Sequence, residues 1–348
     1  QVMSDVVINH GSSKSKWFNN FKNGEGEGSD YFLSFDNYFD TKQVIRPRTS
    51  DLLQKVYTHT GEKFVWCTFS HDQIDYDFAN QRVLIEFIKI ILFYLENGVT
   101  ILRFDAIAFL WKDIRTNCIN LPETHEIVRL FRTIMEYVSH QSVLVTETNT
   151  PARENVSYFG NANEAQWIYN FSLPPILIFT ILSGDSSHLE KLTMSMPPSQ
   201  LGTAYLNFIA SHDGIGLRPA EDFLLDEDIE ALIALMKDSN GQVSYRKNNI
   251  GEESPYEINI SLFDAMSKTF SGESQLAVER FICIHTIMMS LEGVPAFYFH
   301  SLVGTENDIQ QFKASKINRS LNRHKYSQKK LSSLIENEST NNHKIYNK

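Results

Sequence analysis

The chain is short of cysteine, of basic charge and of long apolar runs. Its 348 residues hold three cysteines, Cys67, Cys118 and Cys283, far apart and odd in number. They supply neither a metal-ligand spacing nor a disulfide framework, so a reducing, cytoplasmic setting is expected. Acidic residues outnumber basic ones, 42 to 32, for a net charge of -10. That balance argues against a nucleic-acid or membrane partner, because each would need a basic surface. An anionic substrate would need a local cluster of Arg or Lys. The most apolar stretch, FSLPPILIFTIL (171–182), carries two prolines and is too short to span a bilayer. The opening QVMSDVV has no signal peptide and no initiator Met, so residues missing from the N-terminus are expected.

What the chain does have is an alternation of short β-like runs and amphipathic helices. DVVINH (5–10), VTILRFD (99–105), SVLVTE (142–147), AQWIYN (165–170), AYLNFIASHD (204–213) and GVPAFYF (293–299) read as strands. Residues 82–98 and 123–140 read as helices, each with apolar residues on one stripe, and SQLAVERFICIHTIMMSLEG reads as a late helix. Strands that alternate with helices pair in parallel through right-handed crossovers, an α/β arrangement. Two polar excursions, 11–65 and 214–276, interrupt the pattern, and long insertions of this kind usually shape a site.

The run LRFDA (102–106) places Arg103 and Asp105 two residues apart in an apolar strand. Strand side chains alternate, so the two share a face, where desolvating opposite charges is costly unless something uses them. Polar residues also close the other strands: Asn9 and His10, Glu147, and His212 with Asp213. Several strand ends contributing polar groups to one face is the layout of a parallel (β/α) barrel. The doubly wound alternative would have a Gly-rich phosphate turn after its first strand, and VINHGSSK lacks one.

DVVINH, GVTILRFDA, VLVTE and NFIASHD resemble, in order, the four signature segments of the α-amylase superfamily of retaining glycoside hydrolases and glucosyltransferases. A finer resemblance, to its sucrose phosphorylase group, rests on WCTFSHDQIDYDFAN (66–80), NCINLPETHEIVRL (117–130), SHDGIGLRP (211–219), SPYEINISLFDAM (254–266), GVPAFYFHSLVGTENDI (293–309) and NRSLNRHKYS (318–327). The resemblance implies a (β/α)8 TIM barrel, incomplete, holding the third to eighth strands, with an inserted subdomain after the third. Its expected parts are the barrel (1–10 and 66–330), a subdomain (11–65), an active-site loop insertion (214–276) and a polar tail (331–348). Six strands close an eight-stranded barrel poorly, so the isolated chain is expected to be unstable or inactive although its full-length parent is active.

The implied chemistry is retaining transfer of an α-glucosyl group to phosphate, with two carboxylates about 5–5.5 Å apart. Asp105 resembles the nucleophile, with Arg103 holding it ionised. Glu147 resembles the general acid/base, and Asp213 the carboxylate that grips glucose hydroxyls. His10, His212, Phe69, Gln73 and Arg323 resemble the glucose pocket, with Arg323 preferred over Arg319. IRPRT (45–49) resembles a phosphate-binding loop, with Arg48 as ligand and Arg46 behind it, joined by Tyr256. The chain departs from sucrose phosphorylases proper after the acid/base, reading Glu147, Thr148, Asn149. That segment and PYEIN look more like relatives acting on glucosylglycerate or sucrose 6-phosphate, making Asn149, Glu257 and Asn259 the acceptor-side residues. The expected partners are a sugar substrate and inorganic phosphate. A homodimer is carried over from relatives, and neither cofactor nor metal is expected. The rival readings are an α-glucosidase or amylase-type hydrolase and a catalytically inactive barrel scaffold.

Overall fold

The computed structural model describes residues 1–247 and 253–348, so residues 248–252 of the 214–276 stretch lie outside it. Six parallel strands pair in chain order: β1 (Met3–Val7), β2 (Ile101–Asp105), β3 (Val143–Thr146), β4 (Trp167–Tyr169), β5 (Ala204–Asn207) and β6 (Val294–Pro295). Among the described residues, β1 and β6 are each paired on one side only. All six expected strands are present.

The pleat sorts the side chains. Leu102 and Phe104 of β2 join Leu144 and Ile168 in a core sealed by Val83, Phe87 and Ile91 of helix α1 (Gln81–Glu96) and by Val128, Phe131 and Met135 of α2 (Pro122–Val138). Ile101, Val145 and Leu206 form a separate cluster on the opposite face of the strands. Arg103 and Asp105 alternate with Leu102 and Phe104, so they face the interior side with Ile101. Asn80 caps α1, its side chain accepting the Arg82 amide, and Gly98 turns the chain beyond it with φ 81°. The apolar stretch at 171–182 is a helix, α3 (Leu173–Ser183), apolar on every side and almost wholly buried. A fourth helix, α4 (Ala277–Ser290), precedes β6.

All six strands are shorter than the sequence suggests, β5 and β6 most of all. β5 ends at Asn207, whose side chain donates to the Glu292 carbonyl at 2.9 Å, and residues 208–213 run on as a loop. β6 is cut short in the same way, and a helical turn occupies Phe299–Leu302. Residues 11–65 fold as a helix (Lys16–Asn23) and a three-stranded antiparallel sheet around Leu53 and Trp66. The 214–276 stretch carries a second antiparallel sheet, Ile215–Gly216, Glu253–Asn259 and Gln242–Lys247. The polar tail is not loose. It forms helices Gln328–Glu336 and Asn341–Tyr346, and Ile345 is buried against Gly304. The Asn342 amide also donates to the Val303 carbonyl at 2.6 Å, and composition alone does not reveal such docking. No helix among the described residues is long and apolar enough to cross a membrane.

Candidate active site

Asp105 closes β2, and Ala106 then turns the chain in the left-handed region, φ 54°. The Ala106 amide, freed from the sheet by that turn, donates to Glu147 Oε2 at 3.0 Å. Glu147 lies immediately beyond β3, and Asp213 arrives on the loop that follows β5. All three carboxylates line one cavity of about 310 Å³.

Most of the residues expected from the sequence line the same cavity. His10, Phe69, Gln73, His212 and Arg323 are there on the glucose-pocket expectation, and Arg48, Tyr256, Asn149 and Glu257 on the phosphate and acceptor one. Gln73 Nε2 sits 2.7 Å from His10 Nε2, and the Asn149 amide donates to the Tyr256 hydroxyl at 3.2 Å. Arg48 lies over the Phe69 ring, 5.6 Å from its centroid, with Nη1 donating to the Pro47 carbonyl at 2.7 Å.

Three expected residues do not line the cavity. Arg46 is buried beside it and donates to the Thr68 carbonyl at 3.1 Å and to Ser50, so it braces the loop and does not face the site. Asn259 is fully buried and donates to Glu257 Oε1 at 2.6 Å. Arg103 lies outside the lining, contacting Asp105 at 3.2 Å, Asp5 at 2.7 Å and the Tyr169 hydroxyl at 3.1 Å. Arg46 behind Arg48 and Arg103 beside Asp105 are where the motifs put them; Asn259 alone is turned from its expected place, because Glu257 and Ser244 close over it, which a local motif does not encode.

Burial pushes the Glu147 carboxyl up to about 7, helped by the charges of Asp105 and Asp213 and opposed by Arg103. Burial also acts to raise Asp213, but Arg319, His212 and Arg323 outweigh it and hold that carboxyl below its usual range. Neighbouring carboxylates with pKa values pushed apart in this way are suited to different tasks. Burial lowers His10, and it raises the Tyr256 hydroxyl to about 12.

Two residues matter more at the site than the sequence suggested. Arg319, passed over in favour of Arg323, lines the cavity and meets Asp213 Oδ1 at 2.5 Å, against 3.2 Å for Arg323. Behind His10, the buried Lys112 bridges Asp75 Oδ2 at 3.0 Å and Asn9 Oδ1 at 2.8 Å. A Lys at the end of the apolar run AIAFLW was the available signal for that network. Among the described residues no cluster of His, Cys, Asp and Glu comes together as a metal site.

The strand order defines a parallel (β/α) barrel protein with three carboxylates gathered in one cavity at the strand ends. Residues 1–214 match the model of the α-amylase catalytic domain, and the chain belongs to the α-amylase family. It is 42% identical to the glucosylglycerate phosphorylase of Spirochaeta thermophila, over 94% of this chain and 55% of that protein. Identity to the glucosylglycerate phosphorylase of Escherichia coli K12 is 36%, over 99% of this chain and 62% of the other. The sucrose phosphorylase of Bifidobacterium adolescentis is more distant, at 24% over 94% of this chain and 65% of the other. The chain thus spans 55% to 62% of the length of the glucosylglycerate phosphorylases it matches. The crystal structure of sucrose 6F-phosphate phosphorylase from Thermoanaerobacter thermosaccharolyticum shares its fold, with a TM-score of 0.84 at 21% identity over 98% of this chain and 70% of that one.

Proposed function

We propose that this chain carries the catalytic barrel of a retaining glucoside phosphorylase that moves the α-glucosyl group of glucosylglycerate to inorganic phosphate. The reading is carried by one cavity that holds Asp105, Glu147 and Asp213 with Arg48 at its wall. Arg319 and Arg323 are both engaged with Asp213, whereas Arg48 meets only a carbonyl and a ring face among the described residues. A guanidinium without a carboxylate partner, in an acidic chain, is suited to a phosphate. The choice of glucosylglycerate is supported by relatives of that name at 36% to 42% identity, against 24% to 26% for those named for other donors.

In this mechanism Asp105 attacks the anomeric carbon as the bond to the glycerate oxygen breaks, and Glu147 gives that oxygen its proton. A phosphate oxygen then attacks the same carbon and passes its proton to Glu147, while the bond to Asp105 breaks. Two inversions leave α-glucose 1-phosphate. Asp213, His212, His10 and Arg323 hold glucose hydroxyls, and Arg48 with Tyr256 and Asn149 holds the incoming phosphate. The six strands stand for the third to eighth of a barrel, residues 11–65 bring in Arg48, and the 214–276 insertion brings in Tyr256. A cytoplasmic homodimer belongs to the same proposal.

The test supplies phosphate with glucosylglycerate, sucrose or sucrose 6-phosphate in turn and assays glucose 1-phosphate. Phosphate-dependent release, greatest from glucosylglycerate, is the expected result. Free glucose formed at a rate indifferent to phosphate would mean a hydrolase and would remove the role given to Arg48.

A further inference from the structure

We propose that Glu257 serves the glucose side of the cavity, as a positioning residue that aims Arg319 at Asp213. This rests on the phosphorylase reading above and replaces the acceptor contact expected for Glu257 from its motif.

The Glu257 side chain is only 3% exposed and both its oxygens are engaged. Oε1 accepts from Arg319 Nε at 3.0 Å and from the Asn259 amide at 2.6 Å, and Oε2 accepts from Arg319 Nη2 at 2.6 Å. A carboxylate so occupied has little left for an acceptor hydroxyl. The guanidinium is a flat, rigid fork, so fixing two of its nitrogens fixes where the third points. That third nitrogen, Nη1, meets Asp213 Oδ1 at 2.5 Å.

The support continues behind Glu257. The Ser244 hydroxyl donates to Asn259 Oδ1 at 2.9 Å, which leaves the Asn259 amide turned toward Glu257. The backbone next to Asp213 rests on the same strand. A Cβ on Gly214 would stand 2.3 Å from Glu257 Cγ and 2.5 Å from the Ile258 carbonyl oxygen, a separation no side chain tolerates. Ser244, Asn259, Glu257 and Arg319 therefore form one braced line ending at Asp213. The acceptor side has its own residues, the hydrogen-bonded Asn149 and Tyr256.

The charges around Asp213 agree. Burial alone would raise its pKa; Arg319 is the strongest influence lowering it, ahead of His212, Arg323 and Arg103. Asp213 in turn raises the Glu147 carboxyl, so these two carboxylates oppose each other.

The decisive measurement is a double-mutant cycle on glucose affinity, by titration calorimetry with α-D-glucose on the full-length protein that carries this chain, using Glu257→Gln, Arg319→Met and both together. Glu257→Gln is expected to weaken glucose binding about tenfold and Arg319→Met by at least as much, each removing charge-assisted hydrogen bonds. The double variant is expected to bind no more weakly than Arg319→Met, because Glu257 acts only through Arg319. Arg319→Lys, which keeps the charge and loses the fork, should resemble Glu257→Gln and covers the case in which Arg319→Met fails to fold. The KM for glycerate in the reverse reaction should change by less than about twofold in Glu257→Gln. The acidic limb of the pH profile should move to higher pH in Arg319→Met, which removes the charge that lowers Asp213, and stay in place in Arg319→Lys. Effects that multiply in the double variant, or a change confined to the glycerate KM, would overturn the proposal. A full-length wild-type protein that binds no glucose would bring down the phosphorylase reading with it. Glucose binding without glucose 1-phosphate release from any donor would remove the phosphorylase reading alone.

Discussion

Arg103 Nη1 donates to Asp5 Oδ1 at 2.7 Å and to Asp105 Oδ1 at 3.2 Å, and Asp5 stands directly opposite Arg103 in the register of β1 and β2. The pair read from one strand is thus a cation shared between two, with Tyr169 of β4 accepting from Nε at 3.1 Å. Burial acts to lower the Arg103 pKa, but Glu147, Tyr169, Asp5 and Asp105 raise it further than burial lowers it, so the guanidinium stays charged. Replacing it with Met leaves Asp105 and the half-exposed Asp5 without their cation. Arg103→Met is expected to lose about 1 kcal/mol of stability by denaturant unfolding, because water screens the charge left on Asp5, and nearly all turnover, because Asp105 loses its counter-charge.

Proton donation by Glu147 predicts the basic limb of the pH profile. Its pKa is pushed up to about 7, so the protonated donor is lost as pH rises through that value, and kcat/KM should fall above it. The stability linkage has the same direction. Between the unfolded value near 4.5 and about 7 the folded chain holds a proton that the unfolded chain releases, so stability falls with rising pH across that window. Glu147→Gln removes the cost of burying that charge. The variant should be inactive yet melt higher than wild type at pH ~8, by at most about 3 kcal/mol, with little difference at pH ~4.

Arg48→Ala should raise the KM for phosphate by about tenfold or more while leaving glucose affinity nearly unchanged, because a charge-assisted contact to the anion is lost and the glucose-side groups stay in place. Steady-state phosphorolysis with varied phosphate reads this directly. Equal loss for phosphate and glucose would place Arg48 elsewhere in the mechanism.

Lys112 and Asp75 make a buried ion pair, with side chains 3% and 0% exposed. Asp75 also accepts from the Thr68 amide and hydroxyl and from Asn9, which adjoins His10. Lys112→Met leaves that carboxylate uncompensated and is expected to cost about 3–5 kcal/mol in denaturant unfolding. Loss of stability below about 1 kcal/mol would mean that the pair contributes little to holding His10.

The sequence by itself determined the parallel strands and helices and the placement of Asp105, Glu147 and Asp213 at the ends of apolar runs. These are local properties. Alternation places residues 103 and 105 on one face of a strand whatever surrounds it, and a helical stripe declares its buried side within a few turns. Tertiary structure decided the rest. Arg319 and Glu257 lie 62 residues apart and Arg103 and Asp5 lie 98 apart, so nothing near either member announces its partner. Arg46 turned away from the cavity because Ser50 and Thr68 closed around it, while Arg48, two residues on, stayed at its wall. The ends of β5 and the docking of Ile345 were settled in the same way. A buried polar group takes whichever partner the fold brings within reach, and that partner comes from a distant part of the chain.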